Sequence, residues 1–150
     1  MTSTRPDMQP PLQQPIGFWT ARAGDAIRRR TRGRLAELGV SQPQWWVLHQ
    51  LSLHPDGMSR DDMVAIIGPN ESDTVIREAI DTAADKHWVR RDGDLVVATD
   101  AGRERFRAAA QAQQDLDAER RLGISDDEYA TTITVLQRVI RNVGGDAWHW

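Results

Sequence analysis

The 150-residue sequence predicts a mainly α fold with a small two-stranded β hairpin, and three observations carry that prediction. Six segments space their apolar residues at helical intervals. Ser or Thr stands at the start of most of them, often with an acid or amide three residues on. One Asp-Gly pair lies between short runs of β-formers.

Residues 1–15 are rich in Pro and Gln, show no apolar period, and read as a flexible N-terminal arm. The first helix covers 16–38. Ile16, Trp19, Ala23, Ile27, Leu35 and Leu38 form its stripe, and Arg22, Arg28, Arg29, Arg30, Arg32 and Arg34 spread around the rest. Gly39 stops it, and Ser41 with Gln44 opens a second helix through Trp45, Leu48 and Leu51. His54-Pro55-Asp56-Gly57 is a turn. Ser59 caps a third helix with Met63, Val64, Ile66 and Ile67 as its apolar side, and Gly68-Pro69 ends it. From Asn70 onward, Val75, Ile76, Ala79, Ile80, Ala83 and Trp88 recur at helical spacing, so a fourth helix runs to about Lys86.

Val89–Arg91 and Leu95–Ala98 are the arms of the hairpin around Asp92-Gly93-Asp94. Thr99 caps a fifth helix marked by Phe106, Ala109, Ala110, Gln113 and Leu116 and ending at Gly123. Ser125 and Glu128 make a capping box for the sixth, with Ile124 and Tyr129 as its hydrophobic staple. Ile133, Leu136, Ile140 and Val143 carry the sixth stripe, and Gly144-Gly145 closes it. The expected organisation is an arm at 1–15, one folded region at 16–143, and a tail at 144–150 that ends in Trp148-His149-Trp150.

With no cysteine, disulfides, thiolate zinc sites, iron–sulfur clusters and cysteine nucleophiles are excluded together. No 18 apolar residues occur in succession and the N-terminus lacks a signal pattern, so a cytoplasmic protein is expected. A net charge of −3 gives no general attraction for polyanions, so any nucleic-acid surface must be local. His49, His54, His87 and His149 lack metal-ligand spacing, and no Gly-rich phosphate loop or nucleophile elbow appears. Neither a metal, a cofactor nor enzymatic activity is expected.

Three stretches carry a family resemblance: Ser41–Leu48 before the third helix, Met58–Val64 opening it, and Thr99-Asp100-Ala101-Gly102 after the hairpin. From about Ile16 to Val143 the chain resembles the MarR family of bacterial regulators. The resemblance implies a winged helix-turn-helix with N- and C-terminal dimerisation helices. It also implies a recognition helix in the major groove, and a small-molecule pocket between the dimerisation region and the DNA-binding lobe. The wing loop here is shorter than the family's usual one. Residues 70–87 carry five acids against Arg77 and Lys86, so much of that surface repels phosphates.

Residues near the start of a recognition helix reach base edges, which makes Ser72, Asp73, Thr74 and Arg77 the candidate readers. Arg60 on the third helix and Arg90 and Arg91 on the wing join them, and Arg30 of the first helix is a candidate phosphate contact. Trp19, Trp45 and Trp46 are candidate effector-binding residues where the first two helices approach the fifth. The function expected is a homodimeric, sequence-specific repressor of transcription. Its partners are a double-stranded DNA operator, a second copy of itself and a small-molecule effector, with no membrane. The alternative is a winged-helix protein-interaction module without specific DNA binding.

Overall fold

Five helix starts among the described residues carry a side-chain cap, and these caps set where the chain turns. The computed structural model describes residues 8–149; residues 1–7 of the expected arm and Trp150 of the expected tail lie outside that range. Helix α1 (Ile16–Ala36) is followed by a turn in which Ser41 Oγ accepts from the Gln44 N–H at 3.2 Å while Gln44 Oε1 accepts from the Ser41 N–H at 3.0 Å. That reciprocal pair opens α2 (Gln42–Leu53). Ser59 caps α3 (Arg60–Ile67), Ser72 caps α4 (Asp73–Asp85) and Thr99 caps α5 (Asp100–Arg120). At α6 (Asp126–Asn142) the Ser125 N–H donates to Glu128 Oε1 at 2.9 Å, and this bond holds the Glu128 carboxyl below its ordinary pKa.

The fourth helix begins at Asp73 rather than Asn70. Gly68–Asn70 forms a 3-10 turn, and the extended Ser72 resets the chain before α4. A second 3-10 turn, Pro11–Gln13, precedes α1.

The wing holds one strand more than the two-stranded hairpin expected from sequence. Strand β1 (Met58–Ser59) pairs antiparallel with β3 (Leu95–Ala98), which pairs antiparallel with β2 (Val89–Asp92), giving the order β1-β3-β2. Two residues show no period-2 pattern, so β1 was invisible to alternation. Ser59 serves both as a strand residue opposite Leu95 and as the cap of α3. Asp92 is in register with Leu95, so the hairpin loop is Gly93-Asp94, with positive φ at Gly93 only. This is the place a type II′ turn gives to glycine.

Two compact units divide within α5, one reaching to Ala109 and the other starting at Ala110. In the first, Leu35, Val47, Leu48, Leu51, Met63, Ile67, Ile76, Ile80 and Val96 belong to one buried cluster, where each large side chain contributes about 1.5–3 kcal/mol. Gly102 seats the start of α5 on this lobe: a Cβ there would stand 1.9 Å from the Trp88 carbonyl oxygen, so only glycine allows the approach. In the second unit α6 buries none of its residues, and Ile133, Val135 and Ile140 are each about two-fifths exposed. The α1 stripe is similarly open. Leu35 is buried, whereas Ile16, Trp19 and Ile27 are all more than two-fifths exposed.

Candidate nucleic-acid interface

Helices α3 and α4 with the intervening 3-10 turn form the helix-turn-helix, and α4 is fixed by what it buries. Ile76, Ala79, Ile80 and Ala83 face the core. At 100° per residue the opposite row is Thr74, Glu78, Asp81 and Asp85, so the outward side of α4 carries one hydroxyl and three carboxylates.

The start of α4 is exposed and oriented by its cap. Ser72 Oγ accepts from the Val75 N–H at 3.2 Å, which leaves the hydroxyl hydrogen to donate elsewhere. Asp73 occupies the space beside Gly68: a Cβ on that glycine would meet Asp73 Oδ1 at 2.4 Å. Thr74 is exposed one position further on. Arg77 is half-buried and donates to Asp61 Oδ1 of α3 at 3.3 Å.

Asp81, which the sequence suggested only as a repulsive charge, organises this surface. Its carboxylate accepts from Arg60 of α3 at 3.1 Å and pairs with Arg91 of β2. Three candidate DNA-contacting arginines are thus held by carboxylates of the same lobe. Exposed pairs of this kind are worth about 0.2–1 kcal/mol each, so they orient the guanidinium groups without sequestering them. Arg90 is exposed on β2, opposite Val97. Arg30 is exposed on α1, where Arg28 pairs with Asp25 at 2.6 Å, Arg34 pairs with Glu37 at 2.9 Å and Arg32 Nε donates to Gln42 Oε1 at 3.1 Å.

The three candidate effector tryptophans have separate surroundings. Trp45 stacks on Phe106 with ring centres 5.5 Å apart and planes 4° from parallel, and His49 closes the cluster at 5.5 Å from Trp45. Burial pushes the His49 pKa down, and its Nδ1 has no hydrogen-bond partner within the described protein. Trp46 packs half-buried on the core. Trp19 stands with the N-terminal segment: its Nε1 donates to Gln14 Oε1 at 2.6 Å, and its ring meets Phe18 edge-on at 5.2 Å. Beneath Phe106 lies a cavity of about 120 Å³ bordered by Leu48, Leu51, Ala98 and Arg103. A larger open groove of about 510 Å³ runs along Met8, Pro15, Phe18, Trp19 and Arg22. The second volume falls within the range of small-molecule sites and the first below it.

The sequence marked Phe106 only as part of a helical stripe and His49 only as a histidine without ligand spacing, because their meeting with Trp45 joins α2 to α5. The i, i+4 spacing of Trp45 and His49 was the only local signal.

No family model and no curated protein matches the sequence. Solved structures do match. A MarR family transcriptional regulator from Rhodococcus sp. RHA1 is 22% identical with a TM-score of 0.71, over 83% of this chain and 91% of that one. CouR from Rhodococcus jostii RHA1, bound to p-coumaroyl-CoA, is 21% identical with a TM-score of 0.72, over 87% and 95%. The Mycobacterium tuberculosis MarR family protein Rv2887, in complex with DNA, is 20% identical with a TM-score of 0.69, over 85% and 98%. With its element order and small antiparallel sheet, the chain has the MarR-type winged-helix fold.

Proposed function

We propose that the chain is a sequence-specific DNA-binding regulator of transcription that acts as a homodimeric cytoplasmic repressor and is released by a small-molecule effector. The observation that carries this reading is the exposed, Ser72-capped start of α4, flanked by Arg60, Arg77 and Arg91, each held in place by a carboxylate of the same lobe. In this reading Ser72, Asp73, Thr74 and Arg77 meet base edges from this start, and Arg90 and Arg30 are the proposed phosphate contacts. The DNA complex of one fold neighbour supports the partner, and the p-coumaroyl-CoA complex of another supports an effector. Trp19, Trp45 and Trp46 are the residues proposed to meet it.

The homodimer is supported by the open apolar stripe of α6, which buries none of its residues and so has little to hold it in water, and by the exposed Ile16, Trp19 and Ile27 of α1. Two copies of α4 then sit in successive major grooves about 34 Å apart, and an effector that favours a different spacing lowers operator affinity by its differential binding.

One observation favours a second reading. The outward row of α4 carries Glu78, Asp81 and Asp85, which suits a basic protein partner better than phosphates. Binding to the DNA upstream of the protein's own gene, measured at several salt concentrations, separates the two. A regulator binds with an affinity that falls steeply with salt, and an interaction module ignores the duplex at low salt.

A further inference from the structure

Lys86 and Arg77 are the two Lys or Arg residues in 70–87, and the Lys86 ammonium is already engaged. Nζ donates to the Gly39 carbonyl at 2.8 Å and to Gln44 Oε1 at 3.1 Å, and lies 4.6 Å from the centre of the Trp88 ring. Near the same ring, at 5.6 Å, lies the guanidinium of Arg105 from α5, which donates to the Leu38 carbonyl at 2.9 Å. Consecutive carbonyls of the turn after α1 therefore each hold a cation, one from the end of α4 and one from α5. The negative end of the α1 dipole favours both, and Trp88, only 8% exposed, lies beside both charges.

Gln44 completes the junction. It is 3% exposed, its Nε2 donates to Thr82 Oγ1 of α4 at 2.8 Å, and its Oε1 accepts from Ser41 as well as Lys86. The C-terminal part of α4 is thus fastened at Thr82 to Gln44 of α2, and at Lys86 both to Gln44 and to the turn that leaves α1. Because a two-fold dimer repeats the arrangement, any change in the tilt of α4 against its own α1 enters twice in the separation of the two helices.

We propose that Lys86 is a positioning residue: with Gln44 and Thr82 it sets the tilt of α4, and hence the half-site separation that the dimer accepts, and it contacts no phosphate. This rests on the reading of α4 as the DNA-reading helix of a homodimer.

The test uses the full chain and duplexes selected by it from a random library, rebuilt with half-sites one base pair closer or farther apart. The wild type is expected to prefer one separation by about tenfold or more; Lys86→Met and Thr82→Val should narrow that to about threefold or less, and Lys86→Arg should keep it. The salt slope of Lys86→Met should match the wild type. If its slope instead falls by about one unit with the spacing preference kept, Lys86 touches phosphate and the proposal is wrong. A lower melting temperature with both preference and slope unchanged means a merely structural role, and also overturns it. Should Lys86→Met fail to fold, Thr82→Val, which leaves Lys86 in place, decides alone. If the wild type selects no duplex, the regulator reading falls and this inference with it. If it selects one and all profiles superimpose, only this inference falls.

Discussion

Asp81 of α4 holds Arg91 of the wing, and Arg60 of α3 reaches the same carboxylate at 3.1 Å, so helix, wing and the preceding helix close on one charge. Replacing it in Asp81→Asn is expected to cost under about 1 kcal/mol of stability, because all three side chains are partly exposed. With one negative charge removed and the orientation of Arg60 and Arg91 lost, random duplex should bind severalfold more tightly while the preference for operator shrinks. Fluorescence anisotropy on operator and scrambled DNA, with a thermal melt, checks both. Unchanged affinity for scrambled DNA would mean that the carboxylate restrains neither arginine.

Arg77→Ala and Arg30→Ala should differ in kind. Loss of Arg77 is expected to cost about 1–3 kcal/mol on operator and to relax preference at one base pair. Arg30→Ala should weaken operator and scrambled DNA alike and reduce the salt slope by about one unit. Titrations of both variants on both duplexes at several salt concentrations separate base reading from phosphate contact.

His49 makes stability depend on pH. Burial beside Trp45 and Phe106 lowers its folded pKa below the ordinary 6.5, so the folded state prefers the neutral ring. Its contribution is fully present above about pH 6.5 and is lost as the pH falls through the folded pKa, because the unfolded chain takes up the proton first. Urea unfolding across this range should show the decline, and His49→Asn should flatten it. An equal decline in that variant would place the titrating group elsewhere.

Two glycines should respond oppositely to alanine. At Gly102 the new Cβ would meet the Trp88 carbonyl at 1.9 Å, so Gly102→Ala should cost about 1–3 kcal/mol or more. Nothing lies within 4 Å of the corresponding position at Gly33 inside α1, so Gly33→Ala should gain up to about 1 kcal/mol. Chemical denaturation of the two variants measures the contrast.

Ile140 is 39% exposed on a helix that buries nothing. A charge there, in Ile140→Asp, should dissociate the proposed dimer, whereas Asp126→Ala in the first turn of α6 should cost a few tenths of a kcal/mol to about 1 and leave it intact. Sedimentation velocity at micromolar concentration reads the outcome. A wild-type chain that sediments as a stable monomer would remove the homodimer from the proposal.

The caps show which part of this architecture was legible in the sequence. Ser41 with Gln44, Ser59, Thr99 and Ser125 with Glu128 act over three residues, so spacing alone announces them, whereas the Ser72 cap went unread because the helical spacing was carried back to Asn70. The stripe of α1 was legible as a face but not as a buried one, since periodicity says which residues share a side and nothing about what covers it. The bonds that arrange the candidate interface were not legible at all. Asp81 with Arg60, Lys86 with Gly39 and Arg105 with Leu38 join residues far apart in the chain, and only the folded lobe brings them together. Local reading therefore counted Asp81 and Lys86 as net charge, when their work is to hold neighbouring elements.

The hairpin of four-residue strands closed by Gly93-Asp94 sets a limit on the protein's span. At about 3.4 Å per residue it extends roughly 13 Å from the strand roots to the loop, little more than the diameter of one helix. Arg90 and Arg91 lie on its rising strand and the two loop residues carry no positive charge, so cationic character stops short of the tip. On a duplex, such a wing would give a narrow footprint: nuclease protection ending close to the bases under α4, and flanking sequence free to vary without changing affinity.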